Sequence, residues 1–166
     1  MAEAVTATTY VYDATDLVLG RLASVVAKQL LSARREGRED RVIVINSERA
    51  IVSGKSESVF AEYLTRYELN HPRKGPFFPR MPDLIFKRTV RGMLPYQKKS
   101  TGRAAFKALR VEIGCPSHLN GDELPDGHQR GESDSLKRGL PERFVRLGEI
   151  SESLGAPAHR WNGGES

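Results

Sequence analysis

Four consecutive apolar, β-branched residues, Val42-Ile43-Val44-Ile45, narrow the possible folds more than any other stretch of this chain. A strand with one wet face alternates apolar and polar side chains. A run without a polar member needs cover on both faces, the situation of a strand inside a parallel sheet. The residues before it agree. Thr8 to Asp13 (TTYVYD) is short, β-branched and aromatic, and is predicted as a strand. Gly20 then opens a segment in which Leu22, Ala23, Val26, Ala27 and Leu30 recur at helical spacing. It ends at Arg34 and Arg35, cations that suit the negative end of a helix dipole. Glu36 to Arg41 is a polar loop, and Val42 to Ile45 the covered strand. Strand, helix and covered strand in succession form a right-handed βαβ unit.

Further along, a second helix is expected after Ser53-Gly54, with Val59, Phe60, Tyr63 and Leu64 on one side. Asn70 to Pro82 (NHPRKGPFFPRMP) contains four of the nine prolines. Each proline fixes φ, lacks an amide donor and pushes its predecessor away from the helical region, so this stretch is predicted as a stiff, extended arm. Phe77-Phe78 within it reads as a hydrophobic foot on the body rather than a base-stacking pair, because exposed paired Phe is costly without a partner. From Asp83 to Leu94 a helix returns. At about 100° per residue, Phe86, Thr89, Val90, Met93 and Leu94 share one arc and Lys87, Arg88 and Arg91 lie beside it. Pro95 stops that helix. A link from Tyr96 to Thr101, a short helix from Gly102 to Lys107 and a strand from Arg110 to Ile113 follow. Ser117 to Gly139 is poor in apolar residues and reads as a long loop or insertion. Phe144 to Leu147 is expected as a weak fourth strand, Glu149 to Leu154 as a short helix closed by Gly155, and 156–166 as a polar tail. The expected fold class is α/β: a three-layer α/β/α arrangement around a small, mostly parallel four-stranded sheet, plus a basic extended arm. A chain of 166 residues suits one domain, 1–166.

Charge points to a partner. Between Arg66 and Arg110 stand twelve Lys/Arg against two acids, Glu68 and Asp83, a local excess of +10. The other residues carry fourteen basic and nineteen acidic side chains, so the net +5 conceals a basic middle on a mildly acidic body. Concentrated positive charge calls for an anionic partner, and nucleic acid is the usual one. The single cysteine, Cys115, excludes an internal disulfide framework and fits a reducing compartment. No apolar run approaches the roughly 20 residues that span a bilayer. Met1 to Thr9 lacks the basic start and apolar core of a signal peptide, so a cytoplasmic location is expected.

Signals of catalysis are weak. Ser53-Gly54-Lys55-Ser56 resembles the end of a phosphate-binding P-loop, but the full pattern needs a glycine five residues before Gly54, where this chain has Arg49. A helix N-terminus explains the stretch more simply. A third option is that Lys55 holds one RNA backbone phosphate. Cys115-Pro116-Ser117-His118 offers no second cysteine, and His71, His128 and His159 show no ligand spacing, so no metal is expected. No group that would activate Cys115 is visible. Asp13 and Asp16 read as turn and cap residues rather than an acid pair. No cofactor or small-molecule substrate is implied.

Several segments together are similar to a known family. Tyr12-Asp13-Ala14, Leu19-Gly20-Arg21-Leu22-Ala23-Ser24, Val42 to Glu48 and Val52-Ser53-Gly54-Lys55 resemble the first half of the ribosomal protein uL13 (L13) family. Lys87-Arg88-Thr89-Val90-Arg91-Gly92-Met93-Leu94-Pro95, followed by Gly102-Arg103-Ala104-Ala105-Phe106, resembles its signature region. The resemblance runs in order from about Tyr10 to Pro116. Phe86 to Phe106 and Leu147-Gly148-Glu149-Ile150-Ser151 look like the archaeal/eukaryotic branch. Ser117 to Gly139 and the residues after Gly155 resemble the family weakly.

The resemblance implies a parallel four-stranded sheet between helices and a non-catalytic component of the large ribosomal subunit that binds its rRNA and supports assembly. Large-subunit rRNA and neighbouring large-subunit proteins would be the partners. The RNA face would then be the basic middle: Arg73, Lys74 and Arg80 on the proline arm, Lys87, Arg88 and Arg91 on one helix, Lys98, Lys99 and Arg103 after it, with Lys55 apart. Arginine outnumbers lysine 18 to 8, and its planar fork suits phosphates and splayed bases. A free mRNA-binding regulator and a nucleotide-dependent enzyme on the βαβ scaffold are the rival expectations.

Overall fold

A computed structural model describes residues 7–162. Residues 1–6 of the Met1–Thr9 stretch in which no signal peptide was expected, and the end of the expected polar tail, 163–166, lie outside the described residues. In chain order the elements are β1 (Thr9–Asp13), α1 (Leu19–Arg35), β2 (Arg41–Ile45), a 3-10 turn (Ser47–Arg49), β3 (Ile51–Ser53), α2 (Ser56–Glu68), α3 (Pro82–Met93), α4 (Ser100–Lys107) and β4 (Leu109–Val111). After these come a 3-10 turn (Ser117–Leu119), β5 (His128–Arg130), another such turn (Asp134–Leu136), β6 (Phe144–Arg146), α5 (Leu147–Ser153) and α6 (His159–Asn162).

The main sheet has the order β4-β2-β1-β5 and every pairing in it is parallel. The α/β class and the four-stranded parallel sheet flanked by helices are therefore as expected. The Val42–Ile45 run occupies the centre of this sheet, and its side chains divide between two cores. Val42 and Val44 join Tyr12, Leu22, Val26, Leu30, Phe86 and Val90 on the helical face. Ile43 and Ile45 join Val11, Leu119, Cys115 and Leu124 on the other face. Burying each such side chain contributes roughly 1.5–3 kcal/mol, which explains why a polar residue in this run would not be tolerated. The second face is covered by the 3-10 turn and the loop around it.

Three placements differ from the sequence expectation. The fourth strand of the main sheet is β5, inside the stretch expected to be a loop. His128-Gln129-Arg130 is polar, but as an edge strand it pairs with β1 alone. The expected fourth strand near Phe144 exists as β6, yet it pairs antiparallel with β3 in a separate two-stranded sheet. Leu147 N–H, just after it, donates to the Ala50 carbonyl (2.8 Å), which fixes α5 against the 3-10 turn at Ser47–Arg49. The arm is not extended throughout. His71 and Gly75 exchange backbone hydrogen bonds (3.1 and 2.9 Å) around a tight turn, and only the return leg after the cis Gly75–Pro76 bond is open chain.

Candidate nucleic-acid interface

Helix α3 is the spine of the basic segment. Pro82 stands at its first position, where a missing N–H costs nothing, and Asp83 in the first turn complements the helix dipole. Pro82, Ile85, Phe86 and Val90 are buried. Ile85 thus takes the core position that the sequence arc assigned to Met93, which is 42% exposed at the rim. The helix is rotated slightly from the expected arc, and Lys87, Arg88 and Arg91 remain beside the buried stripe.

Each of these cations is held by something uncharged. The Arg88 guanidinium lies 5.1 Å from the Phe78 ring centroid and donates to the Phe77 carbonyl (3.2 Å). Phe78 in turn meets Tyr63 of α2 edge-on (6.1 Å). Half of the expected hydrophobic foot is therefore present: Phe78 packs on the core, while Phe77 is 62% exposed. Arg91 lies over the Tyr96 ring (4.3 Å), Tyr96 meets Phe106 edge-on (5.4 Å), and Lys87 lies over Phe106 (5.3 Å). Arg103 donates to the Tyr96 and Gln97 carbonyls (3.3 and 3.5 Å). The link between α3 and α4 is thereby gripped from both helices, with Lys98 and Lys99 exposed on its outer side. Gly102 completes the grip. A Cβ there would lie 2.4 Å from the Pro95 carbonyl oxygen, so only glycine permits this approach.

The remaining predicted cations are spread further. Arg73 and Lys74 are exposed at the turn of the arm, and Arg80 on its return leg lies near the C-terminal end of α5, its Nη1 3.6 Å from where a Gly155 Cβ would be. Lys55 does not join the α3 group. It stands at the start of α2 in a separate cleft with Glu57, Glu142 and Arg143. The Gly54 amide beside it is already bonded to the Arg143 carbonyl (2.9 Å), so one of the amides a P-loop would need is taken.

Charge pairing separates the cations into two groups. Among the described residues, ion pairs engage Arg34, Arg38, Arg49, Arg66, Arg110, Lys137 and Arg146. Arg66 pairs with Glu62 and Arg110 with Glu112; they are two of the three members of the basic segment that sequence reasoning left out of the RNA-facing set, the third being Lys107, which is in none of these pairs. None of Lys55, Arg73, Lys74, Arg80, Lys87, Arg88, Arg91, Lys98, Lys99 and Arg103 has a carboxylate within 4.0 Å among those residues. What the arrangement offers chemically is a fixed cationic ridge with its charge unspent.

The model of the family described as Ribosomal protein L13 matches residues 7–118, about two thirds of the chain. The chain belongs to the ribosomal protein L13 family. Curated relatives extend the likeness. The protein from Methanopyrus kandleri called "Large ribosomal subunit protein uL13" is 46% identical over 145 residues, 87% of this chain and 86% of its own length. Proteins of the same name from Halobacterium salinarum (46% over 146 residues, 88% of this chain and 90% of theirs) and Haloarcula marismortui (44% over 146, 88% and 90%) are similar to the same degree. A match of 145 residues necessarily runs beyond residue 118, so the likeness to these archaeal proteins reaches into the half that holds β5, β6 and α5. The basic segment, 66–110, lies wholly inside the family match.

The other chemistry-bearing residues serve the fold. The Asp13 carboxylate accepts from Thr15 N–H (2.9 Å), Thr15 Oγ1 (2.7 Å) and Asn46 Nδ2 (3.1 Å). Burial raises its pKa, but these bonds and the Arg130 charge outweigh burial and leave it below the ordinary value. Asp13 therefore ties the ends of β1 and β2 together as an anion. Burial, helped by the Asp13 charge, pushes the Cys115 thiol up, the opposite of what a nucleophile needs. Glu48 is buried and accepts from the Gly114 amide (2.9 Å). No helix among the described residues is long and apolar enough to cross a membrane, and no cluster of metal-ligating side chains is present among them. Sequence reasoning missed a second group of cations at the starting edge of the sheet, Arg34, Arg41, Lys107 and Arg110, contributed by four separate elements; no contiguous signal marks it.

Proposed function

We propose that this chain is a structural, non-catalytic component of the large ribosomal subunit that binds large-subunit rRNA through the ridge 66–110, supports assembly, and works as one uL13-like domain at ribosomes in the cytoplasm. The observation that carries the proposal is the set of ten cations without a carboxylate partner, most of them on α3, the arm and the link, in a chain whose relatives are large-subunit proteins. Uncancelled charge on a rigid support suits phosphate backbone, and recognition rests on RNA shape with little base reading. Neighbouring large-subunit proteins would abut the acidic body and the C-terminal residues.

Co-sedimentation tests the proposal. A structural component stays with salt-washed large subunits at about one copy each. Recovery only in ribosome-free fractions bound to mRNA would replace this reading with a regulatory one, and tight ATP or GTP binding lost on Lys55→Ala would replace it with an enzymatic one. With about six cations meeting phosphates, log affinity for protein-free rRNA falls against log salt with a slope of roughly −4 to −5. A flat salt response would contradict the phosphate-centred reading.

A further inference from the structure

Because β1, β2, β4 and β5 are parallel, their first residues share one edge of the sheet. That edge holds a cleft of about 570 Å³, lined by Arg34, Arg41, Lys107, Arg110, His118 and His128 with a single carboxylate, Glu39. Arg34 comes from the last turn of α1, Lys107 from the end of α4, and Arg41 and His128 from the first positions of β2 and β5. The helix dipole explains Arg34 and Lys107 one by one. It does not explain Arg41, Arg110 and two histidines converging on the same space.

The cleft is short of negative charge. Glu39 approaches Arg34 only to 4.0 Å and is largely exposed, while Arg110 is paired with Glu112, which does not line the cleft. The Nε of Arg34 is buried with no hydrogen-bond acceptor among the described residues. A buried guanidinium N–H without an acceptor is costly, and the one weak ion pair to Glu39 leaves most of the Arg34 charge available to an anion in the cleft. Four clustered cations repel one another unless an anion joins them.

Position matters as much as charge. Helix α4 begins at the link that carries Lys98 and Lys99 and ends at Lys107 on the cleft. Its 8 residues span about 12 Å, too far for one phosphate group to serve both ends. We infer that this starting-edge cleft is a second RNA-backbone site, taking phosphates of a tract different from the one on the α3 ridge, so that the chain clamps two rRNA segments together. The inference rests on the rRNA-binding reading and adds to it a bridging geometry.

Hydroxyl-radical footprinting on protein-free large-subunit rRNA tests it, comparing the wild-type chain, Arg41→Gln with Lys107→Gln, and Arg88→Ala with Arg91→Ala. Arg41 and Lys107 are exposed, so the first pair leaves the fold intact, as circular dichroism melting will show. The expected result is two protected tracts, one lost with the glutamine pair and the other with the alanine pair. The log–log salt slope becomes shallower by about 1.4–1.8 for the glutamine pair. Ultraviolet crosslinking of the wild-type complex, read by mass spectrometry, should independently attach RNA to the peptide around Lys107–Arg110. Unchanged protection and slope in the glutamine pair, loss of the same nucleotides in both pairs, or no crosslink near Lys107 overturns the second site while leaving the ridge. If the wild-type chain protects no rRNA, both readings fall.

Discussion

Gly102→Ala separates two opposing effects whose sizes the structure sets. Gly102 lies inside α4 with ordinary helical backbone, where alanine is normally favoured by up to about 1 kcal/mol. Here the added methyl would sit 2.4 Å from the Pro95 carbonyl oxygen and 2.5 Å from its carbon, both backbone atoms that cannot rotate away. Relief needs α4 or the link to move by several tenths of an ångström or more, and overpacking of this kind costs about 1–3 kcal/mol. The clash wins, with a net loss of about 1–2 kcal/mol. For a chain of this length that is a fall in Tm of about 2–8 °C. Moving the link also disturbs Tyr96 under Arg91 and the carbonyls held by Arg103, so rRNA affinity should fall with stability. Gly92→Ala is the control. It is helical too, but a Cβ there meets nothing within 4 Å, and it should be neutral or gain about 0.5 kcal/mol. Urea and thermal unfolding of both variants decide the matter. A Gly102→Ala protein as stable as wild type, or more so, would refute the reasoning.

Arg88→Ala should lower stability by about 1–2 kcal/mol, since it removes the bond to the Phe77 carbonyl and the stacking on Phe78, and limited proteolysis should then cut within 70–82; resistance equal to wild type would show that the arm does not depend on Arg88. Arg88→Lys keeps the charge without the fork and should restore RNA binding better than arm stability. Glu48→Ala strands the half-buried Gly114 amide and should cost about 1–2 kcal/mol in chemical denaturation, with Glu48→Gln milder because an amide oxygen still accepts. The Asp13 pKa is lowered in the folded chain, so its contribution is present above the ordinary value of 3.8 and lost as pH falls through the folded value. Asp13→Asn should therefore be less stable near neutrality but decline less steeply below about pH 4, as acid titration followed by circular dichroism will read; a parallel acid limb would remove Asp13 from the account.

What was legible in the sequence followed from periodicity and charge. The apolar run at β2 announced its own burial, and the spacing of Leu22, Val26 and Leu30 announced α1. Partners were less legible. Phe144-Val145-Arg146 has strand character, but nothing local says that it pairs with β3 instead of the main sheet. His128-Gln129-Arg130 carries no apolar signal, because an edge strand needs only backbone bonds to β1. Its position is fixed instead at Gly131, where a Cβ would fall 2.2 Å from the Tyr12 ring, a constraint that exists only once the fold is made. The ridge was visible as a charge excess between Arg66 and Arg110. The starting-edge cleft was not, since parallel topology, not proximity in the chain, gathers Arg34, Arg41, Lys107 and Arg110.

The way the ridge is anchored bears on how it can work. A salt bridge would order each side chain but cancel the field that draws a polyanion. Aromatic faces and backbone carbonyls order it and leave the charge whole. Arg88, Arg91, Lys87 and Arg103 use these neutral anchors, whereas Arg66, at the start of the same segment, is paired with Glu62. Immobilising a long side chain on binding costs about 0.5–1.5 kcal/mol, so under the proposed rRNA-binding role four cations ordered beforehand would spare roughly 2–6 kcal/mol. A surface built this way gains affinity from preorganisation rather than from added charge. Replacing a ring, as in Tyr96→Ala, should therefore weaken rRNA binding though no charge is lost.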